Sequence, residues 1–83
     1  MDVDVLVGTI QLFPYNFVPS GWAPCSGQTL SIQQYAALFS LIGTTYGGDG
    51  RTNFMLPNLN AAQPLSTMNY FIALLGIYPT KND

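Results

Sequence analysis

Few residues of this chain have side chains suited to chemistry, and their surroundings argue against most uses. Asp49 and Asn53 carry oxygens of the kind that bind calcium. The stretch around them lacks the alternating ligands and terminal glutamate of a helix–loop–helix calcium site. Gly47, Gly48 and Gly50 suggest a phosphate cradle, but such a loop precedes a helix and aims its N–H groups at the ligand. Here the glycines follow the segment that reads as a helix, and no Gly-Lys-Ser/Thr appears. Cys25 becomes a nucleophile only when a base ionises it, and the chain has no histidine. A small apolar side chain in the interior is the better reading of Cys25. The missing histidine also excludes Ser-His-Asp catalysis. A glycosidase-type carboxylate pair would have to come from Asp2, Asp4, Asp49 and Asp83, three of them near the termini.

Asp49-Gly50-Arg51 reads more economically as a tight turn, with Asp49 bonded to its own backbone or to Arg51. Arg51 is also a candidate partner for a carboxylate across a subunit boundary. The aromatics Tyr15, Trp22, Tyr46, Tyr70 and Tyr78 offer a platform for sugar rings, with Asn and Gln bonding the hydroxyls. The competing and preferred reading makes them core or interface residues with a tethered polar tip. No catalytic, cofactor-binding or metal-ligating residue is therefore assigned, and no cofactor is expected.

The whole chain has 83 residues, enough for one domain, residues 1–83. A domain this small hides only about 60–65% of its unfolded surface and usually needs a disulfide, a metal or oligomerisation. Cys25 is alone, so no intrachain disulfide forms. Four acidic residues and one thiol without histidine make a poor metal set. Oligomerisation remains. Charged residues make up 7% of the chain, against about 25% in ordinary proteins, and a weakly charged surface favours burial between subunits. A net charge of −2, with Arg51 and Lys81 the only bases, leaves no cationic footprint for nucleic acid. No apolar run reaches the roughly 18 residues of a membrane span. Met1-Asp2-Val3-Asp4 lacks the basic region of a secretory signal peptide.

The elements that position these residues read as follows. Residues 3–13 are rich in β-branched and aromatic side chains and predict a strand apolar on much of both faces, with Gly8 marking a bulge or close approach. Residues 14–24 are punctuated by Pro14, Pro19, Gly21 and Pro24 and predict turns and extended loop. Ser31 is a helix N-cap with Gln34 at the capping-box position. Ile32, Tyr35, Ala36, Phe39 and Ile42 then keep helical spacing, Leu38 and Leu41 widen the stripe, and Gly43 ends it. This predicts one short helix over 32–42. Residues 44–64 show little regular pattern, and 67–78 read as a terminal strand. The fold class is α+β, a small domain with one helix, N- and C-terminal β-strands and long irregular loops.

Five phrases occur in an order that resembles the tail-collar domain of phage short tail fibres, also found in bacterial proteins called microcystin-dependent. They are Gly8-Thr9-Ile10; Pro19-Ser20-Gly21-Trp22-Ala23-Pro24-Cys25-Ser26-Gly27-Gln28; the helix end from Ala37 to Gly43; the Gly-rich loop with its Leu56-Pro57-Asn58-Leu59 close; and the final stretch from Met68 to Pro79. Each is weak alone; together they cover nearly the whole chain. Longer relatives carry an insertion before the final strand, often with a His-x-His motif that in a trimeric fibre binds metal on the threefold axis. Only about eight residues, 60–67, bridge that gap here, so metal-assisted trimerisation and distal receptor recognition do not carry over.

The resemblance implies a non-catalytic structural protein, in a virion or at a cell surface, that assembles with itself. The expected assembly elements are the two terminal strands, with Val5, Val7, Ile10, Leu12, Phe13, Tyr70, Ile72, Leu74, Ile77 and Tyr78 at the interface. Trp22, Gly47, Gly48, Asp49, Gly50 and Arg51 are expected to shape the loops. A closed homotrimer and an open filament both fit, and other tail or surface proteins are further partners. The rival is an adhesion module binding glycan through the loop aromatics.

Overall fold

The computed structural model describes residues 5–65 and 67–79. They form an α+β fold with one short helix and five strands in two antiparallel sheets. Asp2, Asp4, Lys81 and Asp83, and the first part of the expected N-terminal strand, lie outside the described residues.

The first sheet joins β1 (Ile10–Phe13), β2 (Trp22–Pro24) and β5 (Asn69–Ala73) in the order β1-β5-β2. Ile10 lies opposite Ile72 and Phe13 opposite Asn69, while Trp22 faces Ala73 and Pro24 faces Phe71. β5 is central because its Tyr-Phe-Ile run suits burial on both faces, as central strands need. Phe71, Ile72 and Ala73 are all buried. Pro24 has no N–H to donate, which an edge strand tolerates. Its carbonyl accepts a 2.8 Å bond from the Gln28 side chain.

β3 (Thr29–Ser31) and β4 (Asn53–Met55) form the second sheet, with Leu30 opposite Phe54. Their pairing is prolonged by bonds from Leu56 N to Gln28 O, Gly27 N to Pro57 O and Leu59 N to Cys25 O. The Cys25-to-Gln28 phrase thus lies beside the Leu56-to-Leu59 phrase, and the helix and Gly-rich loop are the excursion between them. One interior joins both sheets. Val7, Ala23, Cys25, Leu38, Phe54, Leu56 and Ile72 pack together, with Tyr35, Phe39 and Ile42 of the helical segment against them.

Several expectations are corrected. The helix α1 spans Ala36–Ile42, not 32–42. Ser31 Oγ does accept the Gln34 N–H, at 3.4 Å, but this closes a turn ahead of the helix. Tyr35, at φ −126° and ψ 48°, is the N-cap and makes no side-chain capping bond. Of the strand expected over 3–13, the described residues form β1 and, at Leu6, an isolated bridge. Gly8 takes φ 89° and the Thr9 N–H bonds Leu6 O, so the chain turns before β1. The terminal strand stops at Ala73, and Ile77 then forms a separate parallel bridge with Leu6. Trp22, expected to shape a loop from a short extended stretch, lies in that stretch as the first residue of β2. The irregular stretch 44–64 contains β4.

Candidate functional site

The Gly-rich loop is organised by one carboxylate. Asp49 Oδ1 accepts the backbone N–H groups of Arg51, Thr52 and Asn53 at 2.8, 2.9 and 3.1 Å. Asp49 Oδ2 accepts the Thr52 hydroxyl at 2.9 Å. The Asn53 side-chain oxygen takes the Asp49 N–H in return, at 2.9 Å. The backbone N–H groups of Arg51, Thr52 and Asn53, then the Thr52 hydroxyl, hold the Asp49 carboxyl well below the usual carboxylate range. The oxygens that calcium would use are therefore already engaged by the loop itself. Gly47, Gly48 and Gly50 all have positive φ. At Gly48 a Cβ would come within 2.5 Å of the Phe54 Cα, so glycine lets the loop lie against β4. Arg51 contributes its backbone N–H to this turn.

Cys25 is buried, and burial pushes its thiol up to about 11. It belongs to the packed interior with Leu38, Phe54 and Ile72. That environment suits a small apolar side chain and disfavours a nucleophilic thiolate.

The expected assembly residues divide into inward and outward groups. Val7 and Ile72 are core residues, at 6% and 1% exposure, with no side chain left to offer a neighbour. Tyr70 and Leu74 pack against the core while half-buried. Val5, Leu12 and Phe13 are half-buried. Ile10, Ile77 and Tyr78 are exposed. Leu6, Leu41 and Leu75 join this outward group although the interface expectation omitted them. Their signal was present: two are leucines flanking residues already singled out, and Leu41 lies at the edge of the helical stripe.

Two of the contacts around these exposed residues join segments far apart in the chain. Leu6 bridges Ile77, with Val7 N to Ile77 O at 3.0 Å and Ile77 N to Val5 O at 2.8 Å. The Tyr78 hydroxyl lies 2.6 Å from Ser40 Oγ, the residue before Leu41 on α1. Leu75 stands 62% exposed between β5 and this bridge. Among the described residues β1 is an edge strand paired to β5, with Ile10 and Gln11 exposed. An apolar surface next to an open strand edge can be covered by another chain.

Two of the loop aromatics, Trp22 and Tyr15, both contact Phe13. Trp22 meets Phe13 edge-on at 5.0 Å, and Phe13 stacks on Phe71. Tyr15 lies flat under Phe17 at 4.2 Å, and Phe17 is the most exposed large apolar residue of the described chain. Tyr46 is exposed on the Gly-rich loop, and Tyr78 is exposed beside α1.

A family model described as Phage Tail Collar Domain matches residues 8–64, more than half of the chain. This chain belongs to the phage tail collar family. The family is a structural domain of phages, so a collar domain associates with tail components. No curated protein matches the chain. The matched stretch of the collar domain ends before β5 begins, so the central strand of its first sheet lies outside the match. No helix among the described residues of the collar domain is long and apolar enough to cross a membrane.

Proposed function

We propose that this collar domain is a non-catalytic, self-associating structural module, folding as one unit and working in a virion or at a cell surface. The observation that carries the reading is the set of exposed apolar residues Leu6, Leu41, Leu75, Ile77 and Tyr78, in which Leu6 bridges Ile77 and the Tyr78 hydroxyl meets Ser40 of α1. A chain with 7% charged residues has few other means of keeping such a surface soluble. Ile10, Ile77 and Tyr78 are the proposed contact residues from the terminal segments, with Val5, Leu12 and Phe13 at their margin. Arg51 is proposed to reach a carboxylate of a neighbouring copy. A contact that closes on itself gives a ring such as a trimer; one that does not close gives a filament.

Light scattering on a sizing column, with negative-stain microscopy of the same peak, tests this. A mass of three subunits supports a collar trimer, and long particles with a regular repeat support a filament. A 9 kDa species at all concentrations removes the reading.

A second reading, glycan adhesion, is favoured by one observation, the stacking of exposed Phe17 flat on the half-buried Tyr15. Trp22 contacts Phe13, which contacts Tyr15. Its fluorescence should therefore shift when a cell-wall glycan is titrated, and an unchanged spectrum removes this alternative.

A further inference from the structure

We infer that β5 is an exchangeable strand, and that copies of this chain join by inserting the β5 of one into the sheet of another. The inference rests on the self-association proposed above and names the segment that carries it.

The argument starts from the order β1-β5-β2. β1 and β2 are not paired to each other; β5 lies between them and bonds both. Further backbone bonds run from Gly8 N to Ala73 O, Ala73 N to Thr9 O, Leu74 N to Gly21 O and Cys25 N to Tyr70 O. All these partners of β5 lie within residues 8–25. The slot is thus built by the beginning of the chain and filled by its later part. In the slot β5 buries Phe71, Ile72 and Ala73, with Ile72 entering the main core and Phe71 stacking on Phe13.

Nothing in those contacts depends on which copy supplies the strand. An exchanged β5 would make the same bonds and bury the same side chains, so contact energy is conserved and the connection decides. That connection is residues 60–67. Its described residues form turns, not helix or strand. Extended, eight residues reach about 26–29 Å. The molecule measures 34 × 28 × 25 Å, so the connection reaches a neighbour lying alongside.

A chain's own β5 is present at an effective concentration of order millimolar, which favours the closed form unless assembly adds burial. Leu75, Ile77 and Tyr78 follow β5 directly and are exposed in the closed form. They travel with the strand and supply that burial when copies pack.

The test uses register partners. Leu12 faces Tyr70 across β1 and β5, both half-buried. The full chain carrying Leu12→Cys and Tyr70→Cys, with Cys25→Ala to remove the native thiol, is made both at natural abundance and with uniform ¹⁵N. The two forms are unfolded, mixed, refolded and oxidised with oxidised glutathione, and the assembled fraction is read by mass spectrometry. Exchange predicts that about half of the disulfide-linked peptide pairs join one heavy and one light peptide. Assembled particles with only same-isotope pairs overturn strand exchange and leave self-association standing. A monomer under all conditions overturns both. Should the cysteine variant fail to fold, a short Gly-Ser insertion after Gln63 in the otherwise native chain asks the same question. A longer connection favours the closed form, so assembly should shift to monomer; an unchanged size distribution overturns the exchange.

Discussion

Asp49 and Asn53 cap each other across the tip of the Gly-rich loop. The Asn53 side-chain oxygen accepts the Asp49 N–H at 2.9 Å, and Asp49 Oδ1 accepts the Asn53 N–H at 3.1 Å. The pair turns a glycine-rich stretch that would otherwise lose much entropy on folding into a rigid lead-in to β4. Asp49→Ala removes every acceptor for the N–H groups of Arg51, Thr52 and Asn53 and should lower Tm. Asp49→Asn keeps one side-chain oxygen and should lower it less. Thermal unfolding by circular dichroism ranks the two, and equal losses would mean the carbonyl-type oxygen contributes nothing.

The same carboxylate makes stability depend on acid. Its folded value is depressed, so its contribution is complete above the unfolded value of about 3.9 and is lost as pH falls through the folded one. Wild-type Tm should therefore fall as pH drops below about 4, and Asp49→Asn should flatten that part of the profile. Parallel profiles for the two proteins would assign the acid sensitivity elsewhere.

Burial raises the Cys25 thiol, with two consequences. Ellman's reagent at about pH 8 should leave the native chain unmodified and react once denaturant is added. An acid with a raised folded value favours the folded state only while neutral. Stability should thus decline as pH climbs above the unfolded thiol value of about 8.5. Rapid reaction of the native chain would contradict the packing around Cys25.

Two phenylalanines should behave oppositely. Phe54 is fully buried and tilted against Phe39 at 5.4 Å, so Phe54→Ala should cost about 3–5 kcal/mol and leave little folded protein. Phe17 is 64% exposed, and Phe17→Ala should change stability by no more than about 0.5 kcal/mol. Urea denaturation of both variants checks the contrast.

Gly76 lies against the backbone of the N-terminal segment, where an added Cβ would collide with the Val5 carbonyl oxygen. Gly76→Ala should weaken the Leu6–Ile77 bridge and destabilise the chain by more than about 1 kcal/mol. Leu75→Lys, next to it but exposed, should leave Tm nearly unchanged and reduce assembly on a sizing column. An intact assembly of the lysine variant would move the interface away from the chain ends.

By itself the sequence determined the class of the fold and several of its local turns. Helical spacing of Phe39 and Ile42 around Leu38, and the β-branched and aromatic residues near both ends, act over a few neighbouring positions and can be read along the chain. So can the tight turn at Asp49-Gly50, because a short acidic side chain beside glycine bonds locally. The helix was overextended because Ile32 and Tyr35 keep helical spacing while packing on the core from a turn. The three-residue strands β3 and β4 are too short to show a period. Only the tertiary structure decided that Val7 and Ile72 face inward while Leu6, Leu75 and Ile77 face out. It also decided that β5 lies between β1 and β2. Alternation along a strand sets which side chains share a face but not which strands lie beside it. That choice is made by contacts between residues far apart in the chain.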